Sequence, residues 1–95
     1  MREDIIKKLR QLKPILKERF GIEEFAIFGS VARGEANETS DVDIAIIKMK
    51  RKDPFLRLEA KRFLEKRLHK KVDIGHLSSL RPYIKKVVQK ELVYV

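Results

Sequence analysis

Cysteine and tryptophan are missing from this 95-residue chain, and glycine and proline are scarce. Without cysteine the chain can form no disulfide bond, no thiolate metal site and no cysteine nucleophile. Its apolar runs are far shorter than the roughly 20 residues that a membrane-spanning helix needs. The first ten residues, MREDIIKKLR, lack the apolar core of a secretory signal. We therefore expect a cytoplasmic protein without a membrane segment.

Charged residues, in contrast, are abundant. The formal net charge is +9, and it is unevenly distributed along the chain. Residues 21–47 carry six acidic side chains and one basic side chain, whereas residues 48–71 carry eleven basic and three acidic ones. The basic segments could attract nucleic acid or an acidic partner, but a solvated surface rich in lysine and arginine is an equally good interpretation. We expect at most weak binding of nucleic acid.

Hydrophobic spacing predicts one domain over residues 1–95 with an α/β (α+β) fold, in which helices cover one face of a small mixed sheet. The expected helices are an N-terminal stretch that Pro14 divides in two, a short helix from Ser30, a helix at 53–68 and a last helix with Leu80, Ile84, Val87 and Val88 on one face. The expected strands cover residues 24–29, 41–48 and 71–77, and the terminal LVYV is a candidate for a fourth.

Two carboxylates stand at the start of the second expected strand, in the sequence DVDIAI. Because side chains alternate along a strand, Asp41 and Asp43 share one face and the branched apolar residues share the other. Asp73 takes the same position in KKVDIGHL, and Gly75 leaves space beside it. If the two strands are neighbours, the three carboxylates converge on the face that the helices leave open.

Three clustered carboxylates repel one another, and the pKa of each is raised unless a cation lies among them. Mg²⁺ suits such a cluster because it takes hard oxygen ligands and keeps positions open for phosphate and water. Two ions about 3.5–4 Å apart would activate an attacking hydroxyl and stabilise a leaving pyrophosphate. The pattern therefore predicts Asp41, Asp43 and Asp73 as metal ligands and catalytic residues.

A Gly-Ser pair precedes these carboxylates by ten residues, at the end of the first expected strand. Gly29 would let the backbone approach a ligand closely, and Ser30 would begin a helix whose N-terminus favours phosphate. The side chain of Arg33 could point at the same phosphate. Each feature alone is weak, because Asp-x-Asp is often a solvated turn and Gly-Ser turns are common. His69 and His76 stand alone, and we expect them to be structural or surface residues.

The stretch FGSVARGEANETSDVDIAI resembles the Gly-Ser-x10-Asp-x-Asp signature of the nucleotidyltransferase superfamily that includes DNA polymerase beta. Gly29, Ser30, Asp41 and Asp43 match the signature, and Asp73 matches its third carboxylate. The short chain and its ending, ELVYV, resemble the minimal nucleotidyltransferase (MNT) family of prokaryotes over nearly the whole length.

This resemblance implies a nucleotidyltransferase fold, ATP as substrate and Mg²⁺ as the metal. MNT proteins are similar to antitoxins that work with HEPN-domain toxins, commonly helical RNases, and several transfer AMP from ATP to a tyrosine of that partner. The resemblance assigns Asp41 and Asp43 to both metals, Asp73 to one metal and the acceptor hydroxyl, and Ser30 to the triphosphate. The family often has arginine directly after the Gly-Ser pair, where this chain has Val31, so one phosphate contact differs.

Three functions remain open from the sequence. The favoured one is an antitoxin that transfers AMP to a hydroxyl of a HEPN-type partner. A second is an antitoxin that keeps the fold and neutralises its toxin by contact alone. A third is a nucleotidyltransferase that acts on RNA or a small molecule, although larger members of the superfamily devote extra domains to such acceptors. Self-association is compatible with each of the three.

Overall fold

The order of helices and strands agrees closely with the sequence pattern. The computed structural model describes residues 2–95. Within them the elements are α1 (Arg2–Phe20), β1 (Ile22–Phe28), α2 (Gly29–Arg33), β2 (Val42–Met49), α3 (Pro54–Leu68), β3 (Val72–His76), a 3₁₀ turn (Leu77–Ser79), α4 (Pro82–Glu91) and β4 (Val93–Tyr94). Each predicted strand lies within two residues of its expected bounds. No helix among these residues is long and apolar enough to cross a membrane.

The described strands form one mixed sheet in the order β3-β2-β1-β4. β1 runs antiparallel to both of its neighbours, β2 and β4, whereas β2 and β3 are parallel. Parallel neighbours need a long crossover connection, and α3 supplies it between β2 and β3. The prediction of a small mixed sheet is therefore confirmed, including the short fourth strand from the terminal LVYV.

The hydrophobic core lies between one face of this sheet and the apolar sides of α1 and α3. Phe25 and Ile27 of β1 and Ile44 and Ile46 of β2 are all at most 2% exposed. They pack against buried side chains of α1 and α3, among them Leu9, Leu16, Ala60 and Leu64. Burying each large apolar side chain contributes about 1.5–3 kcal/mol, so this face is the main source of stability.

Pro14 does not divide α1, so the expectation of two short helices is wrong. The helix is continuous and contains Pro14 at an exposed position. A proline inside a helix costs about 3 kcal/mol because it removes a backbone hydrogen bond and crowds the preceding turn. Burial of apolar residues on both sides of the proline exceeds that cost. These buried residues are Ile5, Ile6, Leu9, Leu12, Leu16 and Phe20.

α4 is less buried than its spacing suggested. Of the four residues expected on its apolar face, Val88 is 5% exposed, whereas Ile84 is 37% and Val87 is 62% exposed, and Leu80 precedes the helix. Val87 and Val88 are successive residues, which point about 100° apart around a helix with 3.6 residues per turn. Val88 lies on the side of α4 that packs against the protein, whereas Val87 points into solvent. Only part of the predicted apolar face is therefore buried.

Candidate active site

Asp43 stands in the middle of a row of residues that crosses three strands. The pairing of β1 with β2 places Phe28 opposite Asp43, and the pairing of β2 with β3 places Asp73 opposite Asp43. Neighbouring strands lie about 4.7–4.9 Å apart, and residues directly opposite one another point to the same face. The structure therefore brings Asp43 and Asp73 together on the face that is turned away from the core.

Gly29 follows Phe28 directly and lies against the carboxyl group of Asp43. A Cβ atom at Gly29 would lie 3.2 Å from Cγ of Asp43 and closer still to one of its oxygens. The residue also has a φ of 74°, which side chains other than glycine rarely tolerate. Two constraints therefore select glycine, and the first shows that the backbone of the Gly-Ser turn lies next to the carboxylate.

The turn itself differs from expectation by one residue. β1 ends at Phe28 and α2 begins at Gly29, so the helix does not start at Ser30. Ser30 is partly exposed, and its carbonyl accepts a hydrogen bond of 2.9 Å from the N–H of Glu35. This bond closes the short helix and holds the turn beside Asp43.

Asp41 precedes β2 and does not form part of it, in contrast to the expected strand 41–48. It is exposed, whereas Asp43 is partly buried. The N–H of Val42 donates a hydrogen bond of 2.9 Å to the carbonyl of Lys71, which aligns the beginnings of β2 and β3. The loop before β2 thus carries Asp41 to the same end of the sheet as the other two carboxylates.

The electrostatics of Asp43 reflect this convergence. Burial raises the pKa of Asp43, and the negative charges of Asp73 and Asp41 raise it further. The guanidinium of Arg33 lowers the pKa of Asp43, and the carboxylate of Glu91 raises it, each by a smaller amount. All three predicted carboxylates therefore interact, and the local positive charge does not balance them.

Arg33 is held by two carboxylates in this structure. Its Nε donates to Glu35 over 2.6 Å, and its Nη1 donates to Glu91 of α4 over 2.8 Å. Its predicted role as a phosphate ligand stays a prediction, because the side chain would have to exchange one of these carboxylates for phosphate. Sequence reasoning missed Glu91, and no local signal points to it, since 58 positions separate it from Arg33.

The donor set suits Mg²⁺ that is held jointly by protein and substrate. Within residues 2–95, no three histidine, aspartate or glutamate side chains are already arranged as a complete metal site. Mg²⁺ does not need one, because it is usually bound through one or two carboxylates together with phosphate oxygens and waters. Asp43 and Asp73 provide such a pair, with Asp41 nearby, and a cation would offset the burial and the neighbouring negative charges that raise the pKa of Asp43.

The two histidines are not among the groups that shift the pKa of Asp43. His76 pairs with Ile46 on the core side of β3 and is 8% exposed. Burial lowers its pKa, and the charges of Lys52 and Arg57 lower it further, which favours a neutral imidazole. His69 is exposed and ends α3. Both positions agree with the structural or surface roles expected for them.

Comparisons with known proteins identify relatives of this chain. The model of the nucleotidyltransferase domain matches residues 9–95. Protein adenylyltransferase MntA of Thermococcus cleftensis is 42% identical over 93 residues, which are 98% of this chain and 94% of that protein. A protein of Methanocaldococcus jannaschii, provisionally named a protein adenylyltransferase, is 41% identical over 90 residues, which are 92% of this chain and 90% of that protein.

The fold of this chain is also similar to those of solved structures. One that is provisionally assigned as a minimal nucleotidyltransferase has a TM-score of 0.78 and 30% identity, over 95% of this chain and 92% of that one. A crystal structure of a toxin–antitoxin with AMP-PNP has a TM-score of 0.69 and 27% identity, over 98% of this chain and 70% of that one. Since the family model covers nearly all of the sequence and the relatives match along most of their own length, this chain is a nucleotidyltransferase and belongs to the minimal nucleotidyltransferase family.

Proposed function

We propose that this protein is an antitoxin that transfers AMP from ATP, with Mg²⁺, to a hydroxyl group of a toxin partner. Relatives named as protein adenylyltransferases and a structural neighbour described as a toxin–antitoxin with AMP-PNP support the proposal. The MNT resemblance points to a tyrosine of a HEPN-type protein as the acceptor. In this proposal residues 1–95 act as one domain. The observation that carries it is the in-register pairing of Asp43 with Asp73 beside the backbone of Gly29.

Each carboxylate has a distinct task in this proposal. Asp41 and Asp43 hold the metal ions, and Asp73 completes one of the metal sites. When bound, Mg²⁺ neutralises the phosphate charges and lowers the pKa of the attacking hydroxyl. Asp43 is the ligand that gains most from the metal, because its carboxylate is the most buried of the three and its charge is the least well solvated.

The reaction is a displacement at the α-phosphorus of ATP. The acceptor oxygen forms a bond to that phosphorus, and the bond from the phosphorus to the bridging oxygen of the β-phosphate breaks, so that pyrophosphate leaves. The proton of the acceptor hydroxyl passes to the carboxylate of Asp73, which is exposed and can release it to water. The backbone of Gly29 and the hydroxyl of Ser30 hold the triphosphate, with Arg33 able to reach it after leaving Glu91.

A transfer assay with labelled ATP tests this function. The protein is mixed with the product of the neighbouring gene, Mg²⁺ and ATP labelled at either the α- or the γ-phosphate. We expect label from the α position on the partner and label from the γ position in free pyrophosphate. The Asp73→Asn variant should bind the partner without labelling it, whereas Glu38→Gln, which changes an exposed carboxylate of the loop before β2, should label it normally.

Two results would contradict the proposal in different ways. If the wild-type protein neutralises the partner without transferring label, it acts by contact alone. If the label appears on RNA or on a small molecule and not on the partner, the acceptor belongs to another class. Transfer of the γ-phosphate would exclude AMP transfer altogether.

A further inference from the structure

A groove of about 300 Å³ lies between α3 and β3, next to Asp73. Its lining residues are Pro54, Arg57, Leu58 and Lys61 of α3 together with Asp73 and Ile74 of β3. The α3 residues are three and four positions apart, so they form one face of the helix. Further along the same face, Glu65 accepts a hydrogen bond of 3.0 Å from the N–H of Val72 and fixes α3 against the beginning of β3.

The order of the strands determines which side of the site this groove serves. From β1 to β3, the sheet presents the Gly29 turn, then Asp43, then Asp73, and then the groove. In the proposed function the triphosphate lies at the Gly29 turn. Displacement at phosphorus requires the attacking and leaving oxygens to be roughly in line. The acceptor hydroxyl must therefore arrive from the β3 side, where the groove begins.

The β3 side is also accessible. β3 is an edge strand of the described sheet, so no further strand of residues 2–95 lies beyond it. Asp73, the residue that would receive the acceptor's proton, is exposed and forms part of the groove wall. An acceptor that occupies the groove can reach Asp73 without displacing any element of the fold.

The groove offers an apolar anchor and two cations. Leu58, which lines the groove, is 43% exposed, and Phe55, three positions before it on α3 and outside the lining, is 78% exposed. Residues three positions apart are neighbours on a helix surface, so the two side chains form one exposed apolar patch that begins in the groove. Arg57 and Lys61 form no salt bridge with a carboxylate of residues 2–95. The complementary ligand therefore has an apolar side chain and carboxylates close to its hydroxyl group.

We propose that this groove binds the segment of the partner protein that carries the acceptor hydroxyl. The segment places an apolar side chain against Phe55 and Leu58, directs carboxylates to Arg57 and Lys61, and presents its hydroxyl to Asp73. This inference rests on the proposed function, because it assigns the entry side of the acceptor in the same reaction. It adds a binding surface on α3 that extends from Asp73 beyond the carboxylates and the Gly-Ser turn.

Paired variants test the groove. Arg57→Glu changes the lining of the groove, Phe55→Ser changes the exposed apolar surface of α3 beside it, and each has a control with similar chemistry elsewhere. Val87→Ser changes an apolar residue of α4 that is 62% exposed, and Arg10→Glu changes an exposed cation of α1 that does not line the groove. We expect the groove variants to weaken partner binding and raise the KM for the partner at least about tenfold, as loss of a central interface residue does. Binding of ATP with Mg²⁺ and the behaviour of the controls should stay unchanged.

A cross-link provides a second readout that does not depend on affinity. A photoreactive phenylalanine analogue at position 55 should cross-link to the partner segment that contains the AMP-modified residue. The same analogue at position 87 should not. A cross-link from position 55 to a distant surface of the partner, or from position 87 to the modified segment, would overturn the assignment.

The failure of this inference can be told apart from the failure of the proposed function. If the wild-type protein transfers AMP and the groove variants do so with an unchanged KM, the groove is not the acceptor site. If Phe55→Ser instead disperses a dimer of this chain, or Arg57→Glu abolishes RNA binding alone, another occupant takes the groove and the inference is wrong. If the wild-type protein binds its partner but transfers no AMP, the proposed function fails, and the binding constants of the same variants decide whether the groove contacts the partner.

Discussion

At the scale of one residue, Asp43 shows how a charged group that the proposed site needs can lower the stability of the folded protein. Its carboxylate is partly buried beside Asp73 and within reach of Asp41, which raises its pKa. A neutral side chain would suit the free protein better, whereas a metal ligand has to be charged. Functional sites commonly retain such unfavourable arrangements. Strand alternation predicted from local spacing that Asp43 and Asp73 share a face, and the pairing of β2 with β3 brings them together. The role of the three carboxylates as metal ligands stays a prediction.

We expect Asp43→Asn to be more stable than the wild-type protein at pH 7 when chelator removes all metal. In the wild type the pKa of Asp43 is higher in the folded state than the ordinary value of 3.8. At pH values between the ordinary pKa and the pKa in the folded state, the folded protein binds more protons than the unfolded chain. The free energy of unfolding therefore falls as the pH rises through this range. Urea unfolding at pH 4 and pH 7 measures this. The variant should lose less stability than the wild type between the two values, and an equal loss would contradict the account.

Gly29 and Gly34 form a natural pair for separating backbone strain from a clash at the site. Both have a φ of 74°, but a Cβ at Gly34 would have no neighbour within 4 Å, whereas a Cβ at Gly29 would meet Asp43. Either alanine variant should lose about 1–2 kcal/mol of unfolding free energy from strain. Only Gly29→Ala should also lose binding of ATP with Mg²⁺, because it displaces the carboxyl group. Equal nucleotide affinity in the two variants would show that the contact has no functional role.

At the scale of helices and strands, local signals predicted where the elements begin and end better than they predicted which side chains are buried. Asp53 and Pro54 begin α3 as expected, and the side chain of Asp53 accepts a hydrogen bond of 2.9 Å from the N–H of Phe55. Caps of this kind depend on neighbouring residues only. The ion pair of Arg33 with Glu91 and the exposure of Val87 depend on how α4 lies against the rest of the chain, which spacing does not encode.

The end of α3 offers a test of local strain. His69 has a φ of 54° and ψ of 39°, and its N–H donates to the carbonyl of Glu65 over 2.9 Å. This left-handed position favours glycine. His69→Gly should therefore increase the unfolding free energy by about 1 kcal/mol, since the side chain no longer strains the backbone. His69→Ala keeps the Cβ and should show no such gain; a matching gain in both variants would assign the effect to the imidazole and not to the backbone.

At the scale of the whole molecule, the acidic segment 21–47 is followed in the sequence by the strongly basic segment 48–71. Residues 48–71 include Lys48 near the end of β2 and Lys50, Arg51 and Lys52 in the loop between β2 and α3. Such charge attracts any polyanion weakly. The attraction falls steeply as the salt concentration rises, because the release of counterions from the nucleic acid then gains less free energy. The fold class was predictable because nearly every element has a local signal. The proposed docking side of the partner required the order of strands, which only the folded chain reveals.

The surface charge gives a prediction about nucleic acid. Fluorescence anisotropy with labelled single-stranded RNA should detect sequence-independent binding at low salt that disappears at physiological salt. Replacing Lys50 and Arg51 with glutamine should weaken the low-salt binding without affecting AMP transfer. Sub-micromolar binding of RNA at physiological salt would favour an RNA acceptor over a protein acceptor.

The central claim is that Asp43 and Asp73 form the metal and nucleotide site, and calorimetric titration of the protein with ATP tests it most directly because no partner is needed. With Mg²⁺ present, the wild-type protein should bind ATP, and chelation should abolish most of the binding. Even outer-shell changes weaken metal sites about 10–100-fold, so loss of a direct ligand in Asp43→Asn should reduce the affinity at least about 100-fold. The exposed control Glu38→Gln should bind as the wild type does. An unchanged affinity for ATP in a folded Asp43→Asn variant would contradict the account.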